Sequence, residues 1–293
     1  MSGSNGNDAL SKGDFGEVRV DRVTMAYDTE DQRQTVLKDC SLLVPRGKLT
    51  VLMGPSGCGK TVLINLIAGY ESPTSGRITI DDAPVQGPGC DRLVVFQETA
   101  LFPWMTVYAN VVFGCRAHCA SKKVTKERAD MILKKVGLFE FRNKYPSQLS
   151  GGMQRRAELA RAMINDPKIM ILDEPFRGLD AMTRELMQEF YVGLFEEVGR
   201  TNLFITHEID EAIFLADRLL IMTYQPGKIK AEIEIDLPRP RDFRMLASPR
   251  FMELREQAIE LLYEEAVKAF ASGSKSAYDL VGAMVARKGS CKK

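Results

Sequence analysis

The residues Gly54-Pro55-Ser56-Gly57-Cys58-Gly59-Lys60-Thr61 fit the spacing G-x-x-x-x-G-K-[ST]. A turn of this kind can cradle phosphate. Its glycines let the backbone approach anionic oxygens with no Cβ in the way, and the amides and dipole of a following helix favour negative charge. The flanks agree: residues 49–53 form a β-branched apolar run that reads as a buried strand, and residues 62–68 read as a helix ended by Gly69. Lys60 would then reach the β- and γ-phosphates, and the Thr61 hydroxyl would hold Mg²⁺. The expectation is a nucleoside triphosphate site.

A second set of chemistry-bearing residues lies downstream. Residues 169–172 are a fully apolar strand running into Asp173-Glu174, and the C-terminal end of a buried strand is where α/β sheets bind ligands. Asp173 suits a Mg²⁺ shell and Glu174 the polarisation of an attacking water. Leu149-Ser150-Gly151-Gly152-Met153-Gln154 enters a helix reaching about residue 165, with Ser150 as N-cap and two glycines at an entrance suited to phosphate. His207 ends the strand at 203–206 just as the carboxylates end theirs, which makes it a γ-phosphate sensor candidate. Tyr27, closing a strand over 17–27, could stack on a base or be an ordinary half-buried strand-end tyrosine.

The elements that must position these groups alternate strand and helix. Further strands are expected at 36–44, 77–80, 92–96, 218–222 and 229–235, and a helix at 181–198. Between Gln97 and Ser150 the texture turns helical, with segments at 106–115, 125–136 and 139–145 in a small insert over roughly 98–147. Within it, Leu101-Phe102-Pro103-Trp104 either buries itself or faces a partner. From residue 248 to about 270, Phe251, Leu254, Ala258, Leu261, Leu262, Ala266 and Phe270 make an apolar helical stripe expected to pack on its own domain.

Composition sets limits. The 293 residues allow one large domain, or one with an appendage. Net charge is +1, which gives no reason to expect nucleic acid as a partner. No apolar run approaches the roughly 20 residues that span a bilayer. Residues 1–16 are polar and glycine-rich without a signal-like core, so a disordered lead-in and a cytosolic protein are expected. The six cysteines are scattered, and Cys115, His118 and Cys119 lack a second ligand pair at metal spacing. Cys58, inside the glycine-rich loop, is a candidate for alkylation.

In order, the phosphate loop, Gln97, LSGGMQ at 149–154, IMILDEP at 169–175 with Gly178-Leu179-Asp180, and His207 resemble the ATP-binding subunit of an ABC transporter. The resemblance implies an α/β fold, a P-loop NTPase of the ABC type with a RecA-like core sheet, an antiparallel β subdomain and a helical subdomain at about 98–160. The ATPase domain would cover 17–247, with a C-terminal extension over 248–293. It implies that Tyr27 stacks on adenine, and that residues 54–60 with Val62 hold the phosphates of ATP. Thr61, Gln97 and Asp173 would complete the Mg²⁺ shell, Glu174 would be the base and His207 the switch. Ser150, Gly151, Gly152 and Gln154 would close on the ATP of a second ATPase subunit, with Asp180 at that interface. Leu101, Phe102 and Trp104 would receive the coupling helix of a separate membrane permease, which places the subunit on the cytoplasmic face of the membrane.

Three residues depart from the family pattern. Val62 stands where Ser or Thr is frequent, Arg177 where a small residue is usual, and Glu158 where an apolar or small one is commoner. A finer resemblance, to nitrate, sulfonate and taurine importers, rests on Gln86-Gly87-Pro88-Gly89, Leu101-Phe102-Pro103-Trp104 and Leu237-Pro238-Arg239-Pro240-Arg241-Asp242. It implies a solute-binding protein acting indirectly and leaves the solute open. A soluble ABC ATPase acting on chromosomes or ribosomes is the competing class. Such chains usually carry a long coiled-coil insert or duplicated motifs, and this one has neither.

Overall fold

The computed structural model describes residues 15–28, 33–117 and 121–272. In chain order come β1 (Val18–Asp28), β2 (Arg33–Val44), β3 (Leu49–Met53), α1 (Lys60–Ala68), β4 (Ser75–Ile80), β5 (Ala83–Pro84) and β6 (Arg92–Val95). Helices α2 (Val107–Val111), α3 (Phe113–Ala117), α4 (Lys122–Lys135) and α5 (Gly151–Met163) follow. Then come β7 (Ile169–Asp173), α6 (Ala181–Val198), β8 (Thr201–Ile205), α7 (Ile209–Leu215), β9 (Arg218–Met222), β10 (Ile229–Glu234) and α8 (Pro249–Ala271). The expected lead-in up to residue 14, the tail from 273, and His118 and Cys119 lie outside the described residues.

Packing divides the chain into two units. Among the described residues, one spans Cys90–Arg200; the other joins Gly16–Gly89 to the residues from Thr201 to Ser272. Helices α2 to α5 share this first unit with β6, β7 and α6.

In the unit containing Gly16–Gly89, β3 lies between β8 and β9 and runs parallel to both, while β10 pairs antiparallel with β9. Every residue of β3 and β8 is buried, as parallel strands covered on both faces require. The Leu49 amide donates to Asp217 Oδ2 (2.8 Å), and the same carboxylate pairs with Arg239 (2.9 Å). A separate antiparallel sheet has the order β2-β1-β4-β5. Its β1–β4 register shifts between Asp21 and Thr24, where Arg22 takes a positive φ of 46° and Gly76 of β4 takes 86°. A Cβ on Gly76 would fall 2.4 Å from the Arg22 carbonyl oxygen. Gly76→Ala is therefore expected to destabilise by about 2 kcal/mol through combined clash and backbone strain, read as a fall in Tm of roughly 5 °C.

Helix α8 packs on this same unit. Ser248 caps it by accepting from the Phe251 amide (3.3 Å), and it buries Phe251, Leu254, Ala258, Leu262, Ala266 and Ala269. Two members of the expected stripe differ: Leu261 is half-buried and Phe270 is 41% exposed. The phase is set by Glu265, 1% exposed, which accepts from the Tyr224 amide (2.8 Å), Lys230 (3.1 Å) and Lys268 (2.7 Å). A carboxylate so held keeps its side of the helix inward, and Ala269, one turn on, follows it.

In the unit containing Cys90–Arg200, β6 runs parallel to β7. Beside them is a small helical core of Leu101, Val107, Val111, Ile132, Leu133, Leu138, Ala157 and Ala160, among others. The single helix expected at 106–115 is broken at Val112 into α2 and α3. Gly114 lets α3 come close to Asn165, since a Cβ there would meet its Oδ1 at 2.2 Å. Of residues 139–145 only Phe139–Phe141 are helical, as one 3-10 turn.

Candidate functional site

The phosphate loop follows from its flanks. The buried strand β3 ends at Met53, and α1 begins at Lys60 behind Gly59, whose φ of 101° only glycine adopts freely. Gly69 closes α1 in the left-handed region, its amide reaching back to the helix. Lys60 is 7% exposed and folds back across the loop, donating to the carbonyl oxygens of Gly54 (2.8 Å) and Pro55 (3.1 Å). The turn between β9 and β10 supports the loop from behind. Gln225 donates to the Gly57 carbonyl (3.0 Å), and a Cβ on Gly227 would fall 2.1 Å from the Cys58 carbonyl oxygen. Thr61 is exposed and Val62 half-buried.

Cys58 departs from the sequence expectation. Its side chain is fully buried, and burial pushes the thiol up despite the nearby Lys60 ammonium. An inaccessible protonated thiol is not an alkylation site.

Tyr27 sits on β1 opposite Gln34 and donates its hydroxyl to Glu71, whose other oxygen accepts from Asn65 of α1 (2.9 Å). Burial first, and then the Glu71 carboxylate, push the phenol up to about 12. The ring is thus tethered to the far end of the phosphate-loop helix. His207 lies in the bend between β8 and α7, half-buried.

The other predicted residues occupy the unit containing Cys90–Arg200. Asp173 ends β7, and Glu174 follows it at a positive φ of 44° with its side chain 11% exposed. Arg177 donates to Glu174 Oε2 at 2.9 Å. Asp180 caps α6 by accepting from the Thr183 amide (3.0 Å); hydrogen bonding from the Thr183 side chain first, and then from that amide, holds its exposed carboxyl below the usual range. Ser150 caps α5 by accepting from the Met153 amide (3.3 Å). Gly151 is exposed; Gly152 is buried where a Cβ would meet Thr183 Cγ2 at 2.9 Å. Gln154 turns its amide onto the carbonyls of Pro146 (3.0 Å) and Leu149 (3.3 Å), so it braces the loop before α5.

Gln97 is exposed, and α5 holds its main chain. Arg155 donates to the carbonyls of Phe96 (2.9 Å) and Gln97 (2.6 Å) and to Glu158 (2.6 Å). Glu158 in turn accepts from the Ala100 amide (3.0 Å), and Arg161 donates to the Ala100 carbonyl (2.7 Å). Burial pushes the Glu158 carboxyl up and the Arg155 guanidinium down, each opposed by the other's charge. Sequence reasoning noted Glu158 only as an oddity; a charged residue between Ala157 and Leu159 in an apolar stretch was the available signal.

The aromatic patch is partly as expected. Trp104 is 70% exposed and Phe102 half-buried, its ring 5.6 Å from Trp104, 4.7 Å from Phe113 and 5.5 Å from the Arg161 guanidinium. Leu101 is a correction: it points into the helical core at 8% exposure and offers nothing to a partner. Asn110, missed entirely, is fully buried in α2 and shapes the turn. It accepts from the Phe102 amide (2.8 Å) and donates to the carbonyls of Phe102, Met105 and Thr106.

A buried strand, glycine loop and helix closed by an inward lysine define a P-loop NTPase. Residues 37–177 match the family model described as ABC transporter. The chain is 41% identical over 252 residues to the nitrate import ATP-binding protein NrtD of Synechococcus elongatus, covering 85% of this chain and 92% of that protein. It is 42% identical over 241 residues to the taurine import ATP-binding protein TauB of Yersinia pestis, covering 80% and 94%. A solved dimer of the ATP-binding cassette MJ0796, in a post-hydrolysis state with ADP and Pi, superposes with a TM-score of 0.64 at 29% identity, covering 75% of this chain and all of that one. The chain belongs to the ABC transporter family, as an ATP-binding subunit that hydrolyses ATP. Its α/β fold, with parallel core strands, an antiparallel sheet and a helical part, is the P-loop ABC-type fold. Among the described residues no helix is long and apolar enough to cross a membrane.

Proposed function

We propose that this chain is the ATPase subunit of an importer for a small anionic solute such as nitrate, a sulfonate or taurine, and that it drives a separate membrane permease from the cytoplasmic face. The carrying observation is the match to NrtD and TauB over more than nine-tenths of each relative's length. The exposed Trp104 beside Phe102 supports the permease contact, because an aromatic cluster at a surface turn fixed by Asn110 is a rigid apolar anchor. In this reading Lys60 and the loop amides bind the phosphates of ATP and Tyr27 stacks on adenine. Glu174 orients the attacking water and His207 steadies the γ-phosphate. Ser150, Gly151 and Gly152 at the start of α5 present helix N–H groups to the γ-phosphate held by a second subunit. Thr61, Gln97 and Asp173 are oxygen donors of the kind Mg²⁺ takes alongside substrate phosphates, and the ion would neutralise charge on the transferred group.

The test is affinity capture of tagged Glu174→Gln protein from detergent-solubilised native membranes with MgATP. Recovery of a polytopic permease is the expected result, and solute binding by its associated receptor would then name the cargo. Recovery of soluble partners alone, with the protein absent from the membrane fraction, overturns the importer reading.

A further inference from the structure

We propose that Arg177 is a positioning residue that restrains ATP turnover in the resting subunit by holding the Glu174 carboxylate. The proposal rests on the assignment of Glu174 above and deepens it. The turn after β7 is tight: the Arg177 amide donates to the Glu174 carbonyl (3.1 Å) and the Leu179 amide to that of Phe176 (3.4 Å). Phe176 is 1% exposed and packs edge-on against Tyr191 (6.0 Å), so the turn is pinned from below. With Glu174 fixed at positive φ, its side chain and that of Arg177 leave the turn on one side and meet at 2.9 Å.

The two partners are unlike. Glu174 is sheltered, with 11% of its side chain exposed, while 61% of the Arg177 side chain faces solvent. The guanidinium therefore occupies Oε2 on its open side, where a water molecule would otherwise come for orientation. Exposure also makes the contact easy to displace. Arg177 adjoins Gly178-Leu179-Asp180, the surface on which the second subunit is expected to close. Closure sweeps the guanidinium aside and frees the carboxylate, so hydrolysis waits for assembly. The residue acts through Glu174 and makes no contact with the reacting atoms.

The experiment is steady-state ATPase kinetics on the full chain at low protein concentration, where turnover per subunit still rises with concentration and most subunits are unassembled. Arg177→Ala is expected to raise kcat roughly two- to fivefold, the range set by an ion pair with one exposed partner, with KM for ATP unchanged. Arg177→Lys, which keeps the charge and loses the planar fork, falls between the two. Combined with Glu174→Gln, Arg177→Ala gives no gain. Arg177→Ser serves as a second replacement should the alanine variant have a lowered Tm. An unchanged or reduced kcat in both well-folded variants overturns the restraint, as does an equal gain in the Glu174→Gln background. Wild-type turnover in Glu174→Gln alone defeats instead the underlying assignment of Glu174.

Discussion

Glu174→Gln is expected to lower magnesium-dependent ATP turnover by about 10²- to 10⁴-fold, the usual contribution of a positioned acid–base group, while nucleotide affinity stays within a few-fold of wild type. The replacement keeps the shape of the side chain, so the turn and its pinned Phe176 survive. On the proposed reading, it removes the carboxylate that would orient water and take up its proton. The placement argues for this role: a sheltered carboxylate at the end of β7, held at an unusual backbone angle, is the kind of strain that surrounding structure maintains at functional positions. Measuring kcat together with fluorescent-nucleotide binding separates lost chemistry from lost binding. Turnover at the wild-type rate would remove Glu174 from its place in the reaction.

Glu158→Ala is expected to lose about 3–5 kcal/mol of stability, because it strands the Arg155 guanidinium without its counter-charge in the interior. Arg155 is 4% exposed and Glu158 2%, so water cannot replace the missing partner. The loss should appear as a fall in Tm of about 10 °C. It should also slacken the Gln97–Ala100 segment, which Arg155 and Glu158 hold from opposite ends. The double replacement Arg155→Met with Glu158→Leu should recover much of the stability without recovering the grip on that segment. A loss below about 1 kcal/mol in Glu158→Ala would mean the pair is as weak as a surface one, contrary to its burial.

What the sequence disclosed was mostly local. The phosphate loop, the start of α1 and its stop at Gly69 are written in contiguous residues whose backbone angles only glycine takes cheaply, and α6 begins and ends where Asp180 and Gly199 dictate. Asp173 and Glu174 were legible because an apolar run announces its own end. What was missed depends on distant residues. Helix α7 is too short to announce itself by periodicity, and its last carbonyls are capped from afar: Arg239 donates to Leu215 and Arg241 to Phe214. The Arg239 and Arg241 pattern was read only as a family signature; its work here is to hold that helix. Leu101 and Trp104 looked alike in sequence, yet Asn110 turns one inward and leaves the other out. The end of α8 went astray because Glu265, drawn in by Tyr224 and Lys230, sets the helix phase.

The strand that feeds the phosphate loop has consequences for how the chain is born on the ribosome. Leu49 of β3 is anchored to Asp217, 168 residues later, and the Gly57 carbonyl is held by Gln225 across an equal interval. Both strands flanking β3 also come from beyond residue 200. The nucleotide-binding loop is therefore translated early and completed late. A nascent chain arrested before β8 exposes a wholly apolar strand with neither neighbour, in the period when long-range pairing is slow and association with other chains competes. The loop's backing strands and its Gln225 contact can form only after residue 225 has emerged, so the strand that feeds the loop waits longest for its neighbours.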